Sequence, residues 1–180
     1  MPLAITHILF GIVLIEIFRE FVIKNNQKFP RYYIFIAAIG SILPDFDFIA
    51  YYVLYFFGFT IEQVHRTFLH TIFIPIILFL IGFAIWKLGI KHPAFGKRHM
   101  TIHTTFFILA AGSLLHIILD FTLAGYIRPF YPFSDFSFGF NLQSLFPKAW
   151  EAIIFPSLDA ALFLLWLAWM EFKLKVSDYF

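Results

Sequence analysis

Two carboxylates, Asp45 and Asp47, lie in the short sequence Leu43-Pro44-Asp45-Phe46-Asp47, between the apolar runs 32–43 and 48–59. Carboxylates in apolar surroundings are costly and usually mark function. On a regular helix, residues two apart point about 200° away from each other and would face different neighbours. Pro44 disfavours helical geometry at Leu43, so a break here would let both carboxylates converge on one side. Convergent oxygens would bind a cation; a helix cap followed by a solvated acid is the alternative.

Histidines elsewhere in the chain could join these carboxylates. His116 and Asp120 are four residues apart, so a helix would place both on one face. His65 and His70 are five apart, about 140° around a helix, and would not share a face. One of that pair would then act outside the ligand set or as a proton shuttle. His7 stands alone in an apolar stretch, where hydrogen-bonded packing is the more common alternative to metal binding.

Other polar residues divide between this cluster and structural roles. Arg66 is suited to clamp a phosphate group. Asp159 lies within a long apolar stretch at a similar predicted depth and is a candidate for an acid next to the ligands. The pair His99-x-x-x-His103 also has ligand spacing, but it lies in a basic segment. We interpret this pair as a structural element at the membrane boundary.

Composition places the chain in a membrane. It has 180 residues, of which 61% are hydrophobic and 13% are charged, with a mean hydropathy of +0.84. A soluble domain usually has about 25% charged residues. No linker or repeat divides the sequence, so we predict one domain over residues 1–180. The lack of cysteine excludes thiolate ligands and disulfides, and a net charge of +2 is too small to indicate nucleic-acid binding.

The apolar stretches predict an all-α fold, a polytopic integral membrane bundle of about five transmembrane helices with a break at Pro44. A helix needs about 20 apolar residues to cross the bilayer core. Thr60-x-x-Gln63 has the form of a capping box, which predicts a helix that carries His65, Arg66 and His70 in its first turns. The predicted spans are Ile5–Ile23, Tyr32–Phe59, the helix from Thr60 with its apolar run Ile72–Ile85, Thr101–Asp120 and Ala152–Met170.

Basic residues follow the first, third and fifth predicted spans. Because orientation alternates from span to span, all three groups fall on one side, which the positive-inside rule assigns to the cytoplasm. The N-terminus is then predicted outside, and the candidate histidines and aspartates lie toward the extracytoplasmic ends of their spans. The basic residues are Lys24, Lys28, Arg31, Lys87, Lys91, Lys97, Arg98, Lys173 and Lys175.

The order of these motifs resembles a known family. The motifs are His7, Leu43-Pro44-Asp45-Phe46-Asp47, His65-Arg66-x-x-x-His70, His116-x-x-x-Asp120-x-Thr122 and Tyr131-Pro132-Phe133. Together they look like the YdjM-type, inner-membrane-associated metal-dependent hydrolases, over about residues 3 to 135. The resemblance implies a helical hydrolase of a bacterial or archaeal cytoplasmic membrane, similar in outline to zinc-dependent phospholipase C. Thr67 and Thr71 depart from the small residue and the serine usual in the family.

The resemblance and the residue chemistry together give a predicted site. The metal ligands would be His7, Asp45, Asp47, His70, His116 and Asp120, and the catalytic residues His65, Arg66 and Asp159. Imidazoles and carboxylates suit a divalent ion, with Zn²⁺ favoured over Mn²⁺ or Fe²⁺, and the candidates are numerous enough for one or two ions. A metal held this way lowers the pKa of a coordinated water toward about 7 and supplies hydroxide.

An aromatic loop near the predicted site favours an amphiphilic substrate. Its aromatic residues lie between Phe130 and Phe140, and such residues are typical of membrane interfaces. Arg66 and Arg128 could clamp a phosphate group. We therefore predict hydrolysis of a phosphoester of a lipid or lipid-linked substrate, with membrane lipids as partners and no nucleic-acid partner.

Two other classes of function stay open from the sequence. The same acids and imidazoles could form a proton or metal-ion pathway in a small transporter, although no inverted repeat is visible. A structural or partner-binding membrane protein would use the polar groups only to tie helices together, which explains the costly buried acids poorly. The sequence gives no indication of oligomeric state.

Overall fold

In the computed structural model, the described residues are 4–24, 29–90 and 100–175, and their named elements are all helical. The helices are α1 (Ala4–Ile17), α2 (Tyr32–Ile42), α3 (Asp47–Leu54), α4 (Ile61–Val64), α5 (Phe73–Lys87), α6 (Ile102–Leu119) and α7 (Lys148–Leu174). The predicted all-α fold is therefore confirmed for this part of the chain. Lys28, Lys91, Lys97, Arg98 and His99 lie outside the described residues.

Helix α2 lies between α1 and α6, while α5 packs on α6 and α7 packs on α1. Small residues allow the closest of these approaches. A Cβ atom added to Gly112 of α6 would lie 2.8 Å from backbone atoms of Gly40 and Ser41 in α2. A Cβ atom added to Gly11 of α1 would overlap the Ser41 hydroxyl. These two glycines therefore set the spacing of the three central helices.

The ends of α1, α2 and α6 away from the candidate site are held by polar contacts. The backbone N–H of Thr101 donates a hydrogen bond of 2.8 Å to the Tyr33 hydroxyl. Arg19 donates from Nε to the carbonyl oxygen of Phe29 at 2.9 Å and pairs with Glu20 at 2.9 Å. Because the Thr101–Tyr33 contact joins residues 68 apart in sequence, it fixes the position of α6 relative to α2, two helices that carry the site.

Fewer helices than predicted have the length and composition needed to cross a membrane. Among the described residues, two helices meet this requirement, Ile102–Leu123 and Lys148–Lys173. A third span is present only if two helical segments that are bent by 54° relative to each other, Tyr32–Ile42 and Pro44–Phe57, are counted as one. Helix α5 has 15 residues, about 22 Å at 1.5 Å per residue. That length is short of a hydrocarbon core about 30 Å thick. The predicted count of about five spans is therefore too high by this measure.

Candidate metal centre

The chain breaks at Pro44, as predicted. Helix α2 ends at Ile42, Pro44–Phe46 forms a 3₁₀ turn and α3 begins at Asp47. Asp45 Oδ1 lies 3.6 Å from His70 Nε2, and Asp47 Oδ2 lies 3.0 Å from His70 Nδ1. The two carboxylates therefore converge on opposite edges of a single imidazole, which a straight helix would not allow.

The segment that carries His65 and His70 is a loop, so the predicted helix there is wrong. The predicted capping box of Thr60 and Gln63 is present, but α4 ends at Val64. His65 is extended, with φ −70° and ψ 140°, and Arg66 has a left-handed backbone with φ 61°. Left-handed geometry is rare and strained for a residue with a Cβ atom. Such strain is typical of functional segments that surrounding contacts hold in place.

Asp47 supplies contacts that hold this loop. Its Oδ1 accepts a hydrogen bond of 3.0 Å from His65 Nδ1, and its Oδ2 accepts one of 3.0 Å from the backbone N–H of Arg66. Asp47 is only 3% exposed, so these donors replace its lost hydration. Because the same carboxylate contacts His70, the two histidines that a helix would have separated lie against one residue.

Four side-chain atoms from the Pro44 turn, the loop and α6 converge at this end of the bundle. His70 Nε2 and His116 Nε2 are 3.2 Å apart. Asp45 Oδ1 lies 3.6 Å and 3.5 Å from these nitrogens, and Asp120 Oδ2 lies 3.6 Å and 4.0 Å from them. The ligands of a tetrahedral Zn²⁺, bound at about 2.0–2.1 Å, stand roughly 3.3 Å apart. The nitrogens of His70 and His116 and an oxygen of Asp45 lie within 4.8 Å of one another, so these three atoms could hold a divalent metal ion, and the Asp120 oxygen lies beside the two nitrogens.

Contacts behind the two rings direct their Nε2 atoms into this cluster. His116 Nδ1 donates a hydrogen bond of 2.7 Å to the carbonyl oxygen of Ser41. His70 Nδ1 faces Asp47 at 3.0 Å. A neutral ring that keeps its proton on Nδ1 presents a lone pair at Nε2, so a cation between the two Nε2 atoms would remove their mutual repulsion. Metal-binding histidines characteristically have an outer hydrogen-bond partner of the kind that His116 has in the Ser41 carbonyl.

The surroundings of His70 favour a positive charge. Burial opposes charge on this fully buried ring, but the contacts with Asp45 and Asp47 outweigh it and raise the pKa of His70 to about 9. The negative charge of these carboxylates would stabilise either a proton on the ring or a metal cation at its Nε2. The carboxylates next to His70 therefore favour a cation at this ring.

His7 extends the cluster along α1. Its Nε2 lies 3.5 Å from Asp120 Oδ1, and its ring stacks on His116 with centroids 3.8 Å apart. Asp120 thus faces His7 with one oxygen and His70 with the other. Among the described residues, three groups have ligand atoms within 4.8 Å of one another: His7, His116 and Asp120; Asp45, His70 and His116; Asp47, His65 and His70.

An open pocket of about 390 Å³ adjoins the cluster. Arg66 connects the two, because its Nε lies 3.4 Å from Asp120 Oδ2. Arg66 Nε and Nη2 and His65 Nε2 are buried without a hydrogen-bond partner in the described part of the chain. The pocket is lined by Phe48, Ile61, His65, Arg66, Thr67, Tyr126, Arg128 and Ser137. Its wall therefore contains buried polar atoms with unused capacity for a ligand.

Asp159 lies beside the cluster and not in it. It accepts a hydrogen bond at Oδ1 from Thr6, the neighbour of His7, and its Oδ2 is buried without a hydrogen-bond partner among the described residues. Its catalytic role stays a prediction. His103 lies at the opposite end of α6, where its Nε2 is 3.4 Å from the Thr101 hydroxyl.

Two contributions to the site were not predicted from the sequence. The Ser41 carbonyl has no side-chain signature, so nothing in the sequence indicates that it anchors His116. Tyr126 and Ser137 line the pocket because a backbone bridge between Ile127 and Phe138 folds their loop. In the sequence, only the alternation of apolar residues next to a glycine could have predicted this bridge.

The helical fold and the buried cluster together define a membrane protein with a candidate metal centre at one end of its helices. The chain belongs to the YdjM inner membrane protein family, whose model matches residues 1–175. This match confirms the family resemblance that the motifs indicate. No curated protein and no solved structure matches the chain significantly.

Proposed function

We propose that this protein is a metal-dependent hydrolase that cleaves a phosphoester of a lipid or lipid-linked substrate. The observation that carries this proposal is the 3.2 Å approach of His70 Nε2 to His116 Nε2, flanked by Asp45 and Asp120. Imidazole nitrogens brought this close and surrounded by carboxylates are a costly arrangement without a cation. The cost is explained if the four side chains hold a divalent ion.

The donor set favours Zn²⁺, with Mn²⁺ or Fe²⁺ as alternatives. His70, His116, Asp45 and Asp120 would hold one ion, and His7 with the second oxygen of Asp120 could contribute to another. A bound divalent ion supplies hydroxide near neutral pH, because it lowers the pKa of coordinated water to about 7.

Three residues outside this ligand set have roles that follow from their contacts. Arg66 lies against Asp120 through Nε and keeps a buried Nη2 without a hydrogen-bond partner among the described residues, so it would bind a phosphate oxygen and offset its charge. His65 is oriented through Nδ1 by Asp47 and keeps Nε2 free, so in its imidazolium form, with a proton on both ring nitrogens, it would pass the Nε2 proton to the leaving oxygen. Asp47 would then act as a positioning residue for both His65 and His70.

A lipid substrate is favoured by the segments that flank the pocket. Helix α3, which contributes Phe48, continues into Phe56, which is 86% exposed. The loop that contributes Ser137 also carries Phe133, which is 84% exposed. Aromatic side chains of this kind are typical of membrane interfaces. We infer that this end of the bundle faces the extracytoplasmic side, because the basic residues Arg31, Lys87 and Lys173 lie at or next to the opposite ends of their helices.

The test is metal content and activity measured on the same detergent-purified protein. We expect near-stoichiometric metal and metal-dependent release of product from lipid phosphoesters in mixed micelles. Both should be lost in His116→Ala and kept in His103→Ala, which makes the same change at the far end of the same helix. An absence of metal after reconstitution, or equal behaviour of the two variants, would contradict the proposal.

A proton or metal-ion pathway is the second candidate, and it is favoured by polar groups deeper in the bundle. The hydroxyls of Ser41 and Ser113 are fully buried without a hydrogen-bond partner among the described residues, as is Oε2 of Glu16 near the other end of α1. Metal-dependent ion flux in sealed vesicles, without hydrolysis of any lipid phosphoester, would support this alternative.

A further inference from the structure

We propose that the pocket beside the cluster binds two phosphoryl groups in series, so that the substrate is a lipid diphosphate. The inference rests on the proposed hydrolase function and specifies its substrate. Arg66 would bind the phosphoryl group next to the cluster, and Arg128 would bind the outer one. The volume of about 390 Å³ lies within the usual range of ligand pockets, about 300–1,000 Å³.

The charge of the pocket favours a polyanion. Among the residues whose side chains the structure describes, the charged ones that line it are Arg66 and Arg128. A head group that carries a choline or ethanolamine cation would therefore meet like charge. The ion pair that Arg128 makes with Asp135 is long, at 3.8 Å, and Asp135 is 86% exposed. Such surface pairs contribute little free energy, so Arg128 is available to a ligand.

The two arginines lie at different depths. The Arg66 side chain is 20% exposed and contacts Asp120 of the cluster, whereas the Arg128 side chain is 46% exposed. A phosphoryl group placed against the cluster would contact Arg66, and a second one linked to it would extend toward the more exposed Arg128. Two linked phosphoryl groups would satisfy both guanidinium groups along one path from the cluster to the mouth of the pocket.

The loop that carries Arg128 is fixed relative to the cluster. Ile127 and Phe138 exchange backbone hydrogen bonds of 3.1 Å and 3.2 Å. The backbone N–H of Ile72, two residues beyond His70, donates a bond of 3.0 Å to the carbonyl oxygen of Pro129. Because Pro129 follows Arg128 directly, this hydrogen bond fixes the backbone of Arg128 relative to the segment that carries His70. Preorganisation of this kind reduces the entropy lost on binding.

The remaining lining residues suit the rest of such a substrate. Tyr126 and Ser137 carry hydroxyls that can donate to phosphate oxygens, while Phe48 and Ile61 form an apolar wall. The Thr67 hydroxyl is already used, because it donates to the carbonyl oxygen of Val64. The apolar wall would contact the first carbons of the lipid chain, next to the diphosphate.

The experiment compares kcat/KM for farnesyl diphosphate and farnesyl monophosphate in detergent micelles. Wild-type protein should have the higher kcat/KM for the diphosphate. Arg128→Gln should lower kcat/KM for the diphosphate by about ten-fold or more, as expected for loss of one charge-assisted contact. It should leave kcat/KM for the monophosphate unchanged. Lys148→Gln is the matched control, since it removes an exposed cation that does not line the pocket. It should leave both values unchanged.

A second arm measures binding of inorganic diphosphate and inorganic phosphate by calorimetry, with and without Arg128→Gln. Selective binding of diphosphate that is lost in Arg128→Gln would support the inference about the pocket, even if no turnover were found. The absence of turnover would contradict only the hydrolase proposal. Equal preference for mono- and diphosphate, or equal losses for both in Arg128→Gln, would overturn the inference and leave the hydrolase intact. If inorganic diphosphate were hydrolysed as fast as farnesyl diphosphate, the inference that the substrate is a lipid would be overturned.

Discussion

The Asp47→Asn variant tests whether Asp47 orients the metal-binding histidines or binds the metal itself. The Asp47 carboxylate faces three nitrogens at 3.0 Å, which are His65 Nδ1, the Arg66 backbone nitrogen and His70 Nδ1. An asparagine keeps one acceptor oxygen and turns an NH₂ group toward a donor. At least one of these contacts is therefore lost, and the rings are no longer held in one orientation.

The expected magnitude follows from the role of such outer contacts. Removing the partner of a metal-binding histidine typically lowers metal affinity 10- to 100-fold, which is about 1.4 to 2.8 kcal/mol. Titration of Zn²⁺ against a chelating indicator, with the protein in detergent, measures this change directly. His116→Ala is the reference for loss of a ligand, and Asp159→Asn is the matched control, because it alters a buried aspartate outside the three ligand groups.

Two results would refute this reasoning. A loss in Asp47→Asn as complete as that in His116→Ala would make Asp47 a ligand, as the motif resemblance implies. Affinity equal to that of wild type would mean that the contacts of Asp47 do not orient the site. In each case circular dichroism should first establish that the variant keeps its helical content.

Three further predictions concern the packing around the site. Ser41→Ala should leave Zn²⁺ affinity unchanged, because the backbone carbonyl and not the hydroxyl holds His116; a measurable loss in the same titration would contradict this. Gly112→Ala should destabilise the protein by about 1–3 kcal/mol, because its Cβ would lie 2.8 Å from the α2 backbone. Thermal unfolding in detergent measures this, and Ala111→Leu at the neighbouring exposed position should leave Tm unchanged. Chelation should lower Tm, since metal at 100 times its Kd contributes about 2.7 kcal/mol; an unchanged Tm would argue against a bound ion.

The convergence of the cluster could be predicted because its signals are local. Pro44 indicated the break between α2 and α3, and the spacing of His116 and Asp120 placed both on one face of α6. The conformation of residues 65–72 could not be predicted, because it depends on a distant carboxylate. Asp47 accepts from the Arg66 backbone and stabilises a left-handed residue, so a tertiary contact replaces the helix that the capping box favours.

The membrane topology was predicted less well than the site, for a related reason. Hydropathy counts apolar residues along the chain but does not register where a helix bends or ends. The stretch 32–59 reads as one apolar segment, yet its halves are bent by 54°. Likewise, α5 begins only at Phe73, because the preceding loop is used to present His65 and His70.

The candidate ligands come from separate parts of the chain: α1 contributes His7, the Pro44 turn Asp45, the loop His70, and α6 His116. These segments emerge from the ribosome one after another, and the last of them follows the first by about a hundred residues. A bound ion would therefore act as a late cross-link that secures helices already inserted in the bilayer. On this view, a cell short of the metal would accumulate inserted but loosely assembled chains, which membrane proteases would recognise.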